Sequence, residues 1–368
     1  MPDNADGGAP GDGRGRSDRR PATARDVAAL AGVALGTVSN VVNRPDKVAP
    51  STLHRVEEAM TQLGWSRNQI AQQLRGGRSA AIGAVVVELS PHTVRLLDSI
   101  EADLSVAGVT LQITTSAHDR QRELDRIELF MEQRVRGILL SPVQSFYHLH
   151  LSRLSKLNIP LVLLGQHSAT SDLCSVTGDD EAGGRLAVAH LVAGGHRRIT
   201  AVGGRADNHH VRARLAGARS ATPPAASLTV HPTDTYDVRA GTEAALTVAA
   251  LPASERPTAV FAINDLIASG LMRGLTSAGF RIPADIAIVG YDDLPIAQTT
   301  AVPLTTIRNP DVAHRATSLL LEEIAAADSG TSHTHHQLRL TPELVVRDST
   351  AGYTHETAAH GSTGGRYA

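Results

Sequence analysis

The residues whose types could carry chemistry are seventeen histidines, a single cysteine and a few acidic pairs. Zinc sites use Cys, His and carboxylate ligands at characteristic spacings, but His333, His335 and His336 have no Cys or carboxylate close by in the sequence. Cys174 has no feature of a nucleophile beyond its residue type. The acids of GDDEAGG (178–184) are explained by capping at a helix start. We therefore expect no metal, no cofactor and no catalytic residue.

Motifs for phosphate binding and acyl transfer are incomplete in this sequence. Gly203-Gly204 lacks the third glycine of a dinucleotide fingerprint, and neither a Gly-Lys-Ser/Thr phosphate loop nor a G-x-S-x-G elbow occurs. An α/β enzyme that acts on a hydroxylated or phosphorylated metabolite would need such a constellation. The sequence thus favours a binding protein over an enzyme.

The segment TARDVAALAGVALGTVSNVVN (23–43) has the pattern of a helix, a glycine-containing turn and a second helix. In a helix-turn-helix the second helix enters the major groove with its first residues toward base edges. In this pattern the apolar residues Val38, Val41 and Val42 face inward. The residues predicted to face the bases are Leu35, Gly36 and Asn40. Those predicted to face phosphates are Thr37, Ser39 and Asn43. A small helical docking domain is the alternative that this pattern leaves open.

The elements that would position these residues change in character along the chain. Residues 23–64 read as three short helices, with Gly32 in a turn and Gly64 as a left-handed cap. From Ala81 onward short β-branched runs alternate with amphipathic stretches such as 121–134 and 181–195. The predicted strands are 82–87, 109–115, 137–141, 159–164, 198–204, 258–262 and 286–290. This alternation predicts parallel βαβ units in an α/β fold.

The length of 368 residues fits roughly two domains of ~100–200 residues each. Because the α/β part is long for one sheet, two lobes with a cleft between them are expected. Hydrophobic residues make up 42%, which excludes a wholly disordered chain. Residues 1–20 and 350–368 are rich in Gly, Ser and Thr without periodicity, and both are predicted to be disordered tails.

Charge is distributed unevenly along the chain. Residues 14–79 carry eleven Arg or Lys against five acids, a net +6, whereas residues 80–368 carry a net −5. A basic module on an acidic body is typical of a nucleic-acid reader with a second function. The first twenty residues have no apolar core of a signal peptide, and no apolar run has the length of a membrane span. A soluble cytoplasmic protein is expected.

The sequence resembles the LacI/GalR-type transcriptional regulators over about residues 23–350. The resemblance rests on the headpiece segment that begins at TARDVAALAG and on GHRRI, RLAG, PTAVFAINDLIASG, IPADIAIVGYDD, PLTTIRNP and LTPELVVRDST in the family's order. It implies a helix-turn-helix DNA-binding domain at 21–67, a hinge helix and linker at 68–79, and a two-lobed, periplasmic-binding-protein-like effector and dimerisation domain at 80–349.

The resemblance also implies a hinge that folds on operator DNA and pairs across a homodimer. It makes Asn68, Ala71 and Leu74 DNA-binding residues, with Leu74 as a wedge in the minor groove. Without the resemblance, Leu74 would be a buried leucine of a linker helix. Thr23, the first residue of the match, is carried over as a further DNA contact.

The headpiece departs from the family pattern at several positions. Asn40 stands where relatives often carry Arg, so the operator sequence cannot be copied from them. Ala34 replaces the usual capping Ser, which weakens the start of that helix by ~1 kcal/mol and removes a phosphate contact. Arg67 replaces a common Pro.

The resemblance implies a small-molecule effector in the cleft between the lobes. Its predicted contacts follow strands or match family positions, and they are Arg214, Tyr236, Asn264, Asp265, Asp292 and His92. An Arg fork suits a sugar hydroxyl or a carboxylate. The first lobe departs from the pattern, since Ser90-Pro91-His92-Thr93 replaces an aromatic stretch and Gly165-Gln166 replaces Asp-Arg. A sugar or related metabolite is the family's usual effector.

Together these features predict a homodimeric repressor that binds double-stranded operator DNA under effector control, with no membrane partner. We expect it to be cytoplasmic and nucleoid-associated. A sugar-binding protein without a DNA role is the competing hypothesis, and residues 23–77 argue against it.

Overall fold

The computed structural model describes residues 22–65, 81–143, 159–167, 172–204 and 208–351. The chain divides into two compact units, Met1–Gly77 and Arg78–Ala368. The first unit holds the headpiece and the second holds two sheets with their covering helices.

The headpiece consists, in its described residues, of α1 (Ala24–Ala31), α2 (Leu35–Asn43) and α3 (Pro50–Leu63), with one 3-10 turn between α2 and α3. Glycines end α1 and α3, with φ of 62° at Gly32 and 57° at Gly64, as the sequence predicts. A small core joins the helices, formed by Val27, Ala28, Ala31, Val38, Val41, Val56 and Ala59.

The first lobe, here the N-lobe, is built on a six-stranded sheet of order β11-β5-β4-β3-β1-β2, in which every pairing is parallel. Its strands are β1 (Ala81–Val86), β2 (Thr110–Thr115), β3 (Ile138–Leu140), β4 (Leu161–Leu164), β5 (Cys174–Gly178) and β11 (Gln337–Leu340). Helices α4 (Pro91–Val106), α5 (Arg120–Glu132) and α11 (Val312–Ser329) pack against it.

The second lobe, the C-lobe, has a six-stranded sheet of order β12-β10-β9-β8-β6-β7. Its strands are β6 (Arg198–Val202), β7 (Ser227–His231), β8 (Ala259–Ala262), β9 (Ala287–Tyr291), β10 (Thr305–Arg308) and β12 (Glu343–Val345), the last antiparallel to β10. Its helices are α6 (Asp180–Ala193), α7 (His209–Ser220), α8 (Val238–Ala250), α9 (Asp265–Ser277) and α10 (Ile296–Thr299).

The two lobes are interleaved in the sequence. The chain passes from the N-lobe to the C-lobe after β5, returns after β10 to form α11 and β11, and then crosses again to β12. The two-lobed α/β architecture predicted from the sequence is therefore confirmed. Ligand sites in such folds lie beyond the carboxyl ends of the strands, where these crossings occur.

Close backbone contact between α6 and α7 fixes the position of the site. A Cβ on Gly184 would lie 1.9 Å from the Arg214 carbonyl oxygen, and one on Gly217 would lie 1.8 Å from the Glu181 carbonyl oxygen. Only glycine permits this approach. The approach brings the first turn of α6 beside the middle of α7.

Within the described ranges, no single helix is long and apolar enough to span a membrane. The helical segments Ala24–Ala31 and Leu35–Val42 are long and apolar enough only when taken together, and their axes are bent by 105° relative to each other. The predicted tail 350–368 falls outside the described residues except at its start. There the Thr350 hydroxyl lies 2.8 Å from both His190 Nε2 and Thr305 Oγ1.

Candidate functional site

Helix α2 presents one face to solvent and one to the headpiece core. Leu35 is 45% exposed, and Gly36 and Asn40 are exposed as well. Val38 and Val41, in contrast, are 1% and 6% exposed. The residues predicted to read bases thus lie on the outward face, which is the arrangement a recognition helix requires.

The other predicted DNA contacts have different surroundings. Ser39 is exposed on α2, Thr37 is half-buried, and Asn43 ends the helix. Thr23 caps α1: its hydroxyl donates to Asp26 Oδ2 at 2.7 Å, and its oxygen accepts from the Asp26 N–H. The predicted hinge residues, Asn68, Ala71 and Leu74, lie outside the described residues.

The start of α2 has the expected weakness. Ala34 occupies the N-cap and makes no side-chain hydrogen bond there. By comparison, the Thr23 cap of α1 forms a full capping box with Asp26. The helix that is predicted to read DNA therefore begins without the side-chain cap that the helix before it has.

A buried charge cluster lies in the C-lobe, centred on Arg214 of α7. Its guanidinium donates to Asp180 Oδ1 from Nε at 2.8 Å, to the Ile263 carbonyl from Nη1 at 2.5 Å, and to Asp292 Oδ1 from Nη2 at 3.4 Å. Its carbon centre lies 3.5 Å from the centroid of the Tyr291 ring. The side chains of Arg214, Asp180 and Asp292 are only 9–12% exposed.

The charges in this cluster control one another's protonation. Burial alone would raise the pKa of Asp180, but the charges of Arg214 and His210 outweigh it and hold that pKa well below its usual range. Burial likewise acts to lower the pKa of Arg214, and Asp180 and Asp292 more than compensate. Asp180 therefore carries a negative charge at neutral pH beside the positively charged Arg214 guanidinium.

Asp292 connects the C-lobe to the N-lobe. Its φ of 101° is rare for a residue with a side chain. Its Oδ1 accepts from Asn309 Nδ2 at 2.9 Å and lies 4.0 Å from Nδ1 of His92, which is on α4 of the N-lobe. Nearby, Arg95 Nη1 donates to the Asp293 carbonyl at 2.6 Å. The predicted partners Arg214, Asp292 and His92 are thus brought together where the lobes meet.

The remaining predicted effector contacts are used within the fold. Asn264 caps α9, accepting from the Ile267 N–H at 2.8 Å and donating to the Tyr236 carbonyl at 2.9 Å. Tyr236 packs half-buried against the C-lobe core. Asp265 requires a correction, because its side chain is 0% exposed and accepts from Thr306 Oγ1 and the Leu294 N–H. It holds the loop that follows β9 and offers no surface to a ligand in this structure.

A cavity of about 230 Å³ opens beside the cluster, between strand ends of the N-lobe and helices α6 and α7. His209 reaches across it, with Nε2 3.1 Å from the Gly165 carbonyl and Nδ1 3.3 Å from Gln166 Nε2. Burial lowers the pKa of His209 to about 4, so this histidine is neutral. Most of the lining residues have polar side chains, namely Gln166, His167, Thr177, Asp179, Asp180, Glu181, His209 and Arg339.

Sequence reasoning missed several members of this site. Capping accounts for Asp179, whose Oδ1 accepts from the Ala182 N–H at 2.9 Å, but not for its neighbour Asp180. Asp180 instead binds Arg214 and His210, with 2.6 Å to His210 Nδ1. A signal was present, because adjacent acids at a helix start cannot both be the cap. Nothing local marks His209 and His210.

A helix-turn-helix headpiece joined to a two-lobed body with a polar cleft defines the class of ligand-regulated DNA-binding proteins. Residues 23–68 match the model of bacterial regulatory proteins of the lacI family, and residues 188–350 match that of the periplasmic binding protein-like domain. Similar chains include the HTH-type transcriptional repressor PurR of Haemophilus influenzae strain PittEE, which is 32% identical over 89% of this chain and 98% of its own. PurR of Vibrio vulnificus strain CMCP6 is also 32% identical, with the same coverage.

Solved structures of similar fold include DNA-bound and ligand-bound regulators. The lac repressor dimer bound to operator and the anti-inducer ONPF is 28% identical, covers 90% of this chain and 99% of its own, and has a TM-score of 0.73. The CelR–cellobiose complex is 28% identical with coverages of 89% and 99% and a TM-score of 0.62. A regulator from Enterococcus faecium with bound ribose is 27% identical, with coverages of 74% and 100% and a TM-score of 0.64.

The chain belongs to the LacI family of bacterial regulatory proteins. It is a DNA-binding transcriptional repressor with an effector-binding domain, in a family of regulators and not of enzymes. Repressors of this family are soluble cytoplasmic proteins that bind DNA and small effectors as dimers. The predicted fold, class and partners are thereby confirmed.

Proposed function

We propose that this protein represses transcription as a homodimer that sits on operator DNA at the nucleoid and is controlled by a neutral, polyhydroxylated effector. In this proposal residues 21–67 read DNA, 68–79 form the hinge and linker, and 80–349 bind effector and dimerise. The observation that carries it is the charge cluster around Arg214, which lies where the lobes meet.

The DNA-reading role is assigned to the outward face of α2. Leu35, Gly36 and Asn40 contact base edges, whereas Thr37, Ser39 and Asn43 contact phosphates. Thr23, Asn68, Ala71 and Leu74 complete the contacts, with Leu74 in the minor groove. The exposure of Leu35 and Asn40 supports this assignment.

The effector class follows from the charge balance of the cluster. Because Asp180 and Asp292 already neutralise Arg214, the site offers no excess positive charge to an anion. Carboxylates and amides that accept and donate hydrogen bonds suit hydroxyl groups instead. The binding of cellobiose by CelR and of ribose by the Enterococcus faecium regulator supports a sugar-like ligand. His92, Tyr236 and Asn264 are proposed to border it.

Coupling between the two sites is proposed to run through the lobe interface. An effector that binds both lobes changes their relative angle, and that change alters the hinge segments that precede β1. Such coupling has a typical magnitude of ~1–3 kcal/mol. Contacts such as Arg95 to the Asp293 carbonyl are the part of the interface that an effector would have to rearrange.

A fluorescence titration of the full chain against DNA upstream of its own gene tests the DNA-reading role. We expect tight binding to one short palindrome that weakens with salt through counterion release. Asn40→Ala should weaken operator binding by about tenfold, the loss of one base contact. Gln62→Ala, an amide of similar exposure on α3, is the control and should bind as the wild type does. Sequence-indifferent binding by the wild type, or equal binding by both variants, contradicts the assignment.

A further inference from the structure

Four side chains of metal-ligand type converge at the edge of the N-lobe. They are Cys174, Glu323, His333 and His335, and their potential ligand atoms all lie within 4.8 Å of one another. Cys174 is far from the histidines in the sequence. For that reason the sequence alone predicts no Cys or carboxylate partner for the histidine loop.

The fold explains why these residues meet. Cys174 is the first residue of β5, and β11 pairs with β5 so that Gln337 lies opposite Ser175. This pairing places the loop before β11, with its two histidines, directly over Cys174. Glu323 comes from α11, which packs on the same sheet.

The distances already approach those of a tetrahedral metal site. Cys174 Sγ lies 3.2 Å from His333 Nε2 and 3.8 Å from His335 Nδ1. Ligand atoms bound tetrahedrally to Zn²⁺ at its usual bond lengths lie roughly 3.3–3.8 Å apart. The ligand atoms that are farthest apart, at up to 4.8 Å, therefore need only small side-chain movements to reach tetrahedral distances.

Glu323 gives a second, independent observation at this cluster. The Leu161 backbone N–H hydrogen bonds to its carboxylate, yet Oε2 is buried and has no hydrogen-bond partner among the described residues. A buried carboxylate oxygen without a partner is costly, and coordination to a cation removes that cost.

We propose that Cys174, Glu323, His333 and His335 form a binding site for a transition metal of the Zn²⁺ class, separate from the effector cleft. One thiolate, two imidazoles and one carboxylate match the ligands that Zn²⁺ prefers in proteins. Binding converts the thiol to a thiolate and releases its proton to solvent. His333 and His335 are half-buried in a surface loop, so a metal reaches the site from solvent.

The metal would fasten three elements together, β5, α11 and the loop before β11. Cys174 begins β5, whereas Gly178 at the other end of that strand leads into the cleft. Four residues of strand separate the two ends by about 13 Å. The proposed metal site and the effector cleft therefore lie at opposite ends of β5.

Titration of the chelator-treated full-length protein with Co²⁺, a spectroscopic substitute for Zn²⁺, tests the proposal. We expect one Co²⁺ per chain, a thiolate-to-cobalt charge-transfer band in the near ultraviolet, and loss of that band when Zn²⁺ competes. Zn²⁺ should also raise the temperature of thermal unfolding.

Variants separate this site from the other histidines of the chain. The double variant His333→Gln, His335→Gln should weaken metal binding by at least about 100-fold. Loss of a group that only hydrogen bonds to a metal ligand already weakens metal binding by up to about 100-fold. His336→Gln is the matched control in the same loop and should bind as the wild type does. Because both changes lie in a surface loop, folding is checked by an unchanged circular dichroism spectrum without metal.

Cys174→Ser should remove the charge-transfer band in particular. Absence of stoichiometric binding by the wild type would leave Cys174 and the histidines as hydrogen-bonded neighbours only and would overturn the proposal. Equal binding by the double histidine variant, or a charge-transfer band that survives Cys174→Ser, would overturn it as well. Operator binding does not enter this test, so its result is independent of the proposed repressor function.

Discussion

Single residues in the cleft combine structural and functional roles. Arg214 satisfies two buried carboxylates and a backbone carbonyl, so the residue proposed to meet the effector also holds α6, α7 and the β9 loop in place. Removing one member of a buried ion cluster leaves the other charges without compensation. The effect of a mutation here on ligand response therefore has to be measured together with stability.

Arg214→Ala should lower the free energy of unfolding by about 3–5 kcal/mol, because Asp180 and Asp292 lose their cation. Arg214→Lys should lose less, since it keeps the charge but not the fork of donors. Urea unfolding followed by circular dichroism measures both. Arg239→Ala, which breaks an exposed pair with Glu243, should change stability by less than about 0.5 kcal/mol. A similar loss in Arg239→Ala and Arg214→Ala would contradict this account.

Asp265 should make the protein less stable as pH rises. Burial and the nearby charge of Asp292 raise its pKa to about 8 in the folded state, whereas an unfolded Asp titrates near about 3.9. The folded state therefore binds more protons between these values, and the contribution of Asp265 falls as pH rises from about 4 to 8. Each pKa unit corresponds to about 1.4 kcal/mol.

Asp265→Asn keeps the shape and cannot ionise, so its stability should decline less than that of the wild type across this interval. Urea unfolding at several pH values gives the difference between the two proteins, in which the titrations of groups that do not interact with Asp265 cancel. Parallel stability curves for the two proteins would show that Asp265 ionises normally.

At the scale of elements, the recognition helix has a start that can be improved. Ala34→Ser supplies the missing cap of α2 and should stabilise the headpiece by about 1 kcal/mol. Trp65 is the single tryptophan of the chain and packs on the headpiece core, so its fluorescence reports unfolding of that unit. Ala29→Ser places the same hydroxyl on an exposed position inside α1 and should give no gain. Equal effects of the two changes would argue against a capping mechanism.

Elements with strong local patterns could be predicted from the sequence, and elements defined by their neighbours could not. The β-branched runs at β1, β4, β8 and β9 are fully buried, and their predicted bounds are right within two residues. By contrast, β5, β7, β10, β11 and β12 have no periodic pattern distinctive enough to mark them as strands. Their strand character depends on pairing with residues far away in the sequence.

The same division holds for the candidate site. Arg214 and Asp292 were found through a family motif, whereas Asp180, His209 and His210 depend on how α6 packs against α7. The glycines at 184 and 217 permit that packing, but one sequence does not reveal which helix each glycine faces. The residues of the metal-type cluster are even farther apart in the sequence, because β11 returns to the N-lobe only after the chain has passed through the C-lobe.

At the scale of the whole molecule, polar contacts join the two lobes in addition to the three chain crossings. Arg95 to the Asp293 carbonyl and His209 to the Gly165 carbonyl both join one lobe to the other. Contacts of this kind can break and reform without exposing a core, which is what a ligand-controlled change of lobe angle needs.

Arg95→Ala should favour a more open arrangement of the lobes, because it removes a charged donor from this interface. Small-angle scattering should then give a larger radius of gyration than for the wild type. Arg122→Ala, on the exposed face of α5, removes a similar side chain away from the interface and should leave the radius unchanged. An unchanged radius in Arg95→Ala would mean that other contacts determine the lobe angle.

The interleaving of the two lobes has a consequence for biosynthesis. Strands β1–β5 of the N-lobe are synthesised before the C-lobe. The N-lobe sheet nevertheless lacks the partner of β5, and its apolar face lacks Leu320 and Ile324, until α11 and β11 have been made. During synthesis the early strands therefore keep an open edge and an uncovered surface while most of the C-lobe is translated. A chain that stops before Val312 would carry an unfinished lobe, which makes truncated products natural substrates for chaperones and proteases.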